Sequence, residues 1–347
     1  MGKRTGFALV AGAALAILAG SAWWPRRQAR LASLHIESGC IMAVPEGRGT
    51  SYPVAGRFTE ISGVDVSYDG ATIAFAARPS PSEPRRIYLV SSAGGDPQPI
   101  SGTGTLDCSE PHFLSGGTLV FTAAQGGSNA LYIYDLAARR SERITFNKEP
   151  LSRTTILPDG RILVQLGQRW CTVNTDGTGI APYAGPPPRS NDAADLAVHP
   201  RKPPMGHVSV VDASRPTGKL FCLGVGISEE AAIRRAPPGS LAWVRVWIAD
   251  PQERVLGTVP LASDASFSLE LPADRPVRLD ILNRQGAVVC RMPVWIWVRP
   301  NESRGCIGCH ESPYLTPPNR VAEAIRKPPQ KLMPSNGSAH QSALKRI

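Results

Sequence analysis

The 347-residue sequence lacks the motifs of several enzyme classes. It contains no Ser/His/Asp arrangement typical of hydrolases, no Gly-rich loop that would cradle a phosphate and no His-rich metal motif. Long helices are also excluded, because 33 Gly and 33 Pro interrupt the chain too often. With 42% hydrophobic residues the chain can still build cores, so the composition predicts a folded, loop-rich, all-β protein.

The chain is basic, with a formal net charge of +10, but it lacks the features of a nucleic-acid-binding protein. Its basic residues are scattered, and no stripe of aromatic residues is interleaved with them. We therefore predict a solvated basic surface and no nucleic-acid partner. The alternative function for this charge is electrostatic docking of an acidic redox partner protein.

The N-terminal segment, residues 1–30, has the pattern of an export signal. Lys3 and Arg4 precede an apolar run from Gly6 to Trp24 that contains no charge. Small residues near its end would suit cleavage as a signal peptide, whereas its terminal tryptophan pair and the arginines that follow would suit a membrane anchor. Both interpretations predict a periplasmic protein, either anchored to the membrane or secreted.

A C-x-x-C-H pentapeptide, Cys306-Ile307-Gly308-Cys309-His310, carries the clearest chemistry of the sequence. In an exported chain it is the covalent attachment motif of one c-type haem, with Cys306 and Cys309 bonded to the porphyrin and His310 as axial ligand of the iron. The alternatives are half of a zinc site, a thioredoxin-like redox pair and a chance run. No second C-x-x-C completes a zinc site, and no βαβ pattern surrounds the motif. The five other cysteines lie singly in apolar runs and are expected to be mostly buried thiols: Cys40, Cys108, Cys171, Cys222 and Cys290.

Residues 31–185 contain a repeat of about forty residues, which is the length of a propeller blade. Each repeat places a Gly-containing turn before an apolar strand, and a second strand follows. Three clear repeats predict a partial or a small β-propeller, since closed propellers use four to eight blades. The turns are Asp69-Gly70, Ser115-Gly116-Gly117 and Asp159-Gly160.

The second half of the chain has a different pattern. We predict a linker with connecting strands over residues 186–238 and a small β-sandwich over 239–300, where alternating strands recur about every ten residues. Trp295 and Trp297 project from one face and would form either sandwich core or a haem wall. Residues 301–347 would then be a haem-attachment segment with a polar tail.

The sequence does not assign the axial ligand of the iron opposite His310. Met333 precedes a proline, as methionines that ligate haem iron can, but a methionine that fills a core is the favoured interpretation. His340 lies in the polar tail and could be simply solvated. For the upstream histidines a surface role is favoured: His35, His112, His199 and His207.

The order of these features resembles the family related to the hydrazine synthase alpha subunit. The resemblance runs through the sandwich to the pentapeptide and to the Pro-rich segments 316–318 and 326–329. The upstream turns Ser67-Tyr68-Asp69-Gly70 and Leu157-Pro158-Asp159-Gly160 resemble TolB-like propeller repeats. The resemblance implies a periplasmic, haem-bearing propeller protein.

In that family the active haem has a tyrosine ligand four residues after the motif histidine, and Tyr314 has this spacing here. Tyr314 is therefore a candidate axial ligand or an aromatic contact of the porphyrin. Three functions follow as hypotheses. They are an electron-transfer protein whose propeller docks a redox partner, a haem enzyme with an open distal site, and a non-catalytic propeller binding protein.

Overall fold

The computed structural model describes residues 31–46, 49–100, 102–125, 128–186, 196–309 and 319–334. Within these ranges the protein is built from strands, with one short helix, α1 (Ala231–Arg234), and one 3-10 turn at Glu323–Arg326. The all-β prediction is confirmed. No helix in the described part of the chain is long and apolar enough to cross a membrane. The predicted export segment lies outside the described residues.

Four four-stranded antiparallel sheets form the propeller part, and we number them as blades 1 to 4. Blade 1 contains β1 (Leu31–Glu37), β2 (Cys40–Pro45), β3 (Tyr52–Ala55) and β16 (Leu196–Ala197). Blade 2 contains β4 (Glu60–Val66), β5 (Thr72–Arg78), β6 (Arg86–Ser91) and β7 (Gln98–Pro99). Blade 3 contains β8 (Asp107–Leu114), β9 (Thr118–Gln125), β10 (Ser128–Asp135) and β11 (Arg140–Arg143). Blade 4 contains β12 (Leu151–Ile156), β13 (Ile162–Leu166), β14 (Arg169–Val173) and β15 (Ala181–Pro182).

The Asp-Gly turns adopt the geometry that their sequence predicts. Gly70 has φ +76° and Gly160 has φ +88°, a left-handed conformation that glycine adopts without strain. The preceding aspartate fixes each turn, since Asp69 Oδ1 accepts the N–H of Ala71 at 3.0 Å. A β-carbon at Gly160 would also lie 2.1 Å from a backbone oxygen of the segment that crosses the propeller end.

The end of the propeller part returns to its beginning. β16 pairs with β1, with Ser33 opposite Ala197 and Leu34 opposite Leu196. It thereby becomes the first strand of blade 1, in the position that β4, β8 and β12 hold in the other blades. β4 contacts both β8 and β16, and β8 contacts β12. Over the described residues the fold is a small propeller of four blades. Three of them are the predicted repeats, and residues 31–55 together with β16 form the fourth.

Two further four-stranded sheets pack as the β-sandwich. One has the order β23–β17–β20–β24 and the other β19–β18–β21–β22. The strands are β17 (Thr217–Cys222), β18 (Leu241–Ala249), β19 (Glu253–Pro260), β20 (Phe267–Pro272), β21 (Val277–Asn283), β22 (Val288–Arg291), β23 (Ser303–Cys306) and β24 (Gln330–Lys331).

The sandwich is larger than the predicted 239–300, because strands from both flanking segments complete it. β17 comes from the predicted linker and pairs with β20 and β23. Its alternation buries Gly218, Leu220 and Cys222 while Lys219 stays exposed, which suits a strand with one face on a core. β23 and β24 come from the predicted haem-attachment segment, so this segment is part of the sandwich.

One hydrophobic core joins blade 4 to the sandwich. It contains Ile162 and Val164 of β13 together with Leu220 and Leu269 of the sandwich. Trp297, 1% exposed, donates its indole N–H to Gly177 O at 2.8 Å. Trp297 of the sandwich thus contacts the propeller and contributes to the shared core.

Arg299 is the polar centre of the joint and is 2% exposed. Its guanidinium reaches Glu142 of blade 3 at 2.5 Å and Asp274 of the sandwich at 2.8 Å. Its backbone N–H donates to Glu302 at 2.6 Å. The buried Arg299 charge is thereby paired with carboxylates of both the propeller and the sandwich, as a buried charge requires.

Candidate functional site

The first thiol of the pentapeptide ends an edge strand. β23 runs parallel to β17, with Cys306 opposite Cys222. The Leu223 N–H donates to Cys306 O at 3.0 Å, which fixes the strand end. β23 is the last strand at its side of the sheet in the described ranges. The Cys306 side chain is half-buried, and the outer side of β23 has no neighbouring strand there.

The second thiol follows in a tightly held turn. Gly308 is buried, and a β-carbon on it would lie 1.6 Å from Ile227 O, so only glycine fits. The Cys309 N–H donates to Ile227 O at 3.2 Å, and the Ser228 hydroxyl donates to Cys309 O. The loop before α1 therefore fixes the backbone of Cys309.

The structure brings four thiols together at this corner of the sandwich. Cys222 donates to Ile307 O at 3.9 Å, and Cys309 hydrogen-bonds Cys290 of β22. The hydrogen bond to Cys290 and burial raise the pKa of Cys309, while the same bond lowers that of Cys290. Neither Cys306 nor Cys309 is in a disulfide.

The thiols of the propeller have a different environment. Burial raises the pKa of Cys108 to about 12 and that of Cys171 to about 11. Such thiols are almost wholly protonated at neutral pH and are poor nucleophiles. Cys108 and Cys171 are therefore buried, unreactive thiols.

Three of the predicted iron ligands lie outside the described residues: His310, Tyr314 and His340. The structure does place Met333, which follows β24 at the opposite edge of the sheet from β23. Arg304 of β23 and Gln330 of β24 lie in the same row across the sheet, because β17 and β20 connect them in register. β23 and β24 run in opposite directions, so Cys306 and Met333 lie on opposite sides of this row. Three strand spacings and this offset separate the two residues by about 20 Å. This placement disfavours Met333 as a ligand of a haem bound at Cys306.

The two tryptophans that precede the motif in the sequence contact the propeller. Lys148 and Arg278 lie over the Trp295 ring, at 5.4 and 4.6 Å from its centroid, and the Trp295 backbone N–H donates to the Glu149 carboxylate. Trp297 is in the blade 4 joint described above. Both rings therefore match the interpretation as core residues, at the boundary with the propeller, and not the interpretation as a haem wall. The sequence also predicts a final sandwich strand over residues 292–298, but the structure forms only a bridge between Val277 and Ile296 there.

The upstream histidines all lie in or beside the propeller. His35 is 3.7 Å from Glu37 within β1, and His207 is 3.6 Å from Asp176. His112 lies on β8 and lines the cavity described next. These positions agree with surface and loop roles.

A cavity of about 510 Å³ lies at one end of the propeller, away from the thiols. At its wall Asp65 accepts hydrogen bonds from Arg201 at 2.9 Å and from the Phe113 N–H at 2.7 Å. The Arg201 guanidinium also lies 4.6 Å from the Tyr68 ring centroid, and burial raises the pKa of Tyr68. No sequence pattern indicates this site, because its residues come from three blades and the segment that crosses them. Within the described ranges no cluster of His, Cys, Asp and Glu is arranged to hold a metal ion.

Comparison with known protein families matches the part of the chain that contains the sandwich and the pentapeptide. Residues 238–311 match a sequence family described as the hydrazine synthase alpha subunit middle domain. This region of the chain is similar to the hydrazine synthase alpha subunit. The matched region includes the whole C-x-x-C-H pentapeptide, and the resemblance predicted from the sequence is confirmed.

Comparison with solved structures extends the likeness to hydrazine synthase over the fold. The Kuenenia stuttgartiensis hydrazine synthase superposes with a TM-score of 0.70 at 13% sequence identity, covering 83% of this chain and 68% of that chain. TolB proteins are more distant. A putative TolB from Agrobacterium tumefaciens has a TM-score of 0.38 at 15% identity, covering 78% of this chain and 80% of its own. No curated protein sequence matches the chain.

Proposed function

We propose that this protein is an exported, haem c-bearing redox protein whose haem is attached through Cys306 and Cys309 and coordinated by His310. The observation that carries the proposal is the match of residues 238–311, which spans the sandwich and includes the pentapeptide. When bound, a c-type haem would supply an iron centre for electron transfer or for reaction with a small ligand.

The thiols suit this group by their chemistry and position. Neither is in a disulfide in this structure, and one ends an edge strand whose outer side has no strand neighbour in the described chain. The fixed backbones of Cys306 and Cys309 would hold both attachment points at a constant separation. On attachment, the Cys309 thiol would leave its contact with Cys290.

We further propose that the distal side of this haem is open to a small molecule, as in a haem enzyme. The position of Met333, about 20 Å from Cys306 across the sheet, supports this proposal, because it argues against the methionine ligand that a typical electron carrier would use. Tyr314 would then contact the porphyrin near the iron, or take the axial position in place of His310. The substrate class is left to experiment.

Electron transfer is the second candidate function. The net charge of +10 would favour an acidic redox partner protein, with the propeller as the docking surface. In this proposal the N-terminal segment holds the protein at the periplasmic side of the membrane, or is removed on secretion.

Optical spectra of the full-length protein, matured in a periplasm competent for haem c attachment, test these proposals. Wild type is compared with His310→Ala, Tyr314→Phe and Met333→Ala. We expect a covalently bound haem with a high-spin ferric spectrum that Tyr314→Phe alters and that Met333→Ala leaves unchanged. A low-spin spectrum abolished by Met333→Ala would replace the open site with an electron-transfer site. Absence of covalent haem would overturn the proposed function.

A further inference from the structure

The contact between Cys290 and Cys309 connects the two sheets of the sandwich. Cys290 lies on β22, opposite Ile281 in the second sheet, and is 9% exposed. Cys309 follows β23 of the first sheet. Both side chains belong to the same core, and they are hydrogen-bonded to each other.

The backbones on both sides of this contact are fixed. Cys309 is held by Ile227 and Ser228, and the helix that follows this loop, α1, packs against β22. One packed unit therefore sets the separation of the two residues. Thiols already in contact need only a small side-chain adjustment to reach the S–S bond length of about 2.05 Å.

We propose that Cys290 and Cys309 form a disulfide in the chain before haem attachment, and that this bond withholds Cys309 from the haem until it is reduced. The inference rests on the proposed function only for its second half. A disulfide between the two thiols of the pentapeptide is the competing possibility. The structure favours Cys290 because the Cys309 thiol hydrogen-bonds Cys290, while Cys306 ends a strand opposite Cys222.

The chemistry is thiol–disulfide exchange with a disulfide-bearing oxidant, either a periplasmic oxidase protein or oxidised glutathione. Cys290 and Cys309 lose two protons and two electrons as their S–S bond forms, and the oxidant's disulfide becomes two thiols. A dithiol reductant reverses the reaction and frees Cys309, whose sulfur is then available to a haem vinyl group. Cys306 stays a thiol throughout.

Peptide mapping of the full chain, produced without haem maturation factors, tests the disulfide directly. The protein is treated with oxidised glutathione, unfolded in the presence of an alkylating reagent and digested without reductant. We expect one linked pair of peptides containing Cys290 and Cys309, lighter than the separate peptides by two hydrogen atoms, and an alkylated Cys306. A linked Cys306–Cys309 pair, or alkylation of all seven cysteines, would overturn the inference.

Haem attachment tests the second half. Wild type, Cys290→Ser, Cys290→Ala and the control Cys108→Ser, which removes a buried thiol of blade 3, are matured with and without a thiol reductant. We expect withdrawal of the reductant to lower haem loading several-fold in wild type and Cys108→Ser, and less than about twofold in both Cys290 variants. Equal sensitivity in all four proteins would overturn the protective role.

The two proposals fail in different ways. If no variant binds haem under any condition while the Cys290–Cys309 peptide is found, the proposed function fails and the disulfide stands. If haem binds and no such peptide forms, the inference fails and the proposed function stands. Agreement of both Cys290 variants guards against an effect of one substitution on folding.

Discussion

Glu302 shows how one residue can serve structure and still limit stability. It is 4% exposed and accepts hydrogen bonds from the Gly179 and Arg299 backbones at 2.8 and 2.6 Å. Burial nevertheless raises its pKa, since removal of the carboxylate from water outweighs these two bonds. The folded protein therefore holds the Glu302 proton more tightly than the unfolded chain does.

This proton affinity predicts a pH dependence. Below the ordinary glutamate pKa of about 4.3 both states are protonated and Glu302 contributes no difference. As the pH rises through the raised folded pKa, ionisation costs more in the folded state, so stability is lost. The free energy of unfolding of wild type minus that of Glu302→Gln should thus decrease from about pH 4 to pH 8.

Urea unfolding at a series of pH values measures this difference. Glu46→Gln, on an exposed residue, is the control for the substitution itself. A wild-type minus Glu302→Gln difference that stays constant or increases with pH would show that burial does not govern this carboxyl.

At the scale of elements, β17 connects the core of the sandwich to the pentapeptide. Leu220 is fully buried between β20 and β23, and its strand places Cys222 opposite Cys306. Leu220→Ala should cost about 2–5 kcal/mol through the cavity it leaves. It should also lower haem attachment, because β23 loses the packing that positions Cys306.

Leu163→Ala is the matched control, since Leu163 is equally buried on β13 of blade 4 and lies outside the core shared with the sandwich. We expect similar destabilisation in urea but wild-type haem attachment below the unfolding transition. Equal loss of haem in both variants would show that global stability, and not β17, determines attachment.

The elements also show which parts of the fold a sequence can predict. The repeat turns and the strands beside them were found because hairpins are local, and Gly70 and Gly160 have the conformation expected of them. The partners of β17 and β23 were missed, because parallel pairing between distant segments leaves no local pattern. Cys290 was missed as a neighbour of Cys309 for the same reason, since the two sheets of a sandwich meet only after folding.

At the scale of the whole molecule, Arg299 makes the propeller and the sandwich one unit. It connects Glu142 to Asp274, and the shared core continues on either side. Arg299→Met should cost about 2–3 kcal/mol, below the range for fully buried pairs because both carboxylates are partly exposed. We also expect the single unfolding transition of wild type to separate into two, with the propeller and sandwich unfolding apart.

Calorimetry combined with near-ultraviolet dichroism measures both effects. Arg140→Met is the control, because Arg140 pairs with the same Glu142 but is 77% exposed at its side chain. A single transition retained in Arg299→Met, with a loss no larger than in Arg140→Met, would show that the apolar core alone couples the two parts.

The pairing of β16 with β1 affects the order in which the protein can form. Blade 1 receives its first strand from residues 196–197, after blades 2, 3 and 4 have been added to the chain. If the chain folds from its N-terminal end, blade 1 would therefore be the last blade to be completed. Contacts between such distant segments are slow to form. Until then the edge of β1 that β16 covers has no strand neighbour, and it would offer a folding chaperone a defined edge to protect.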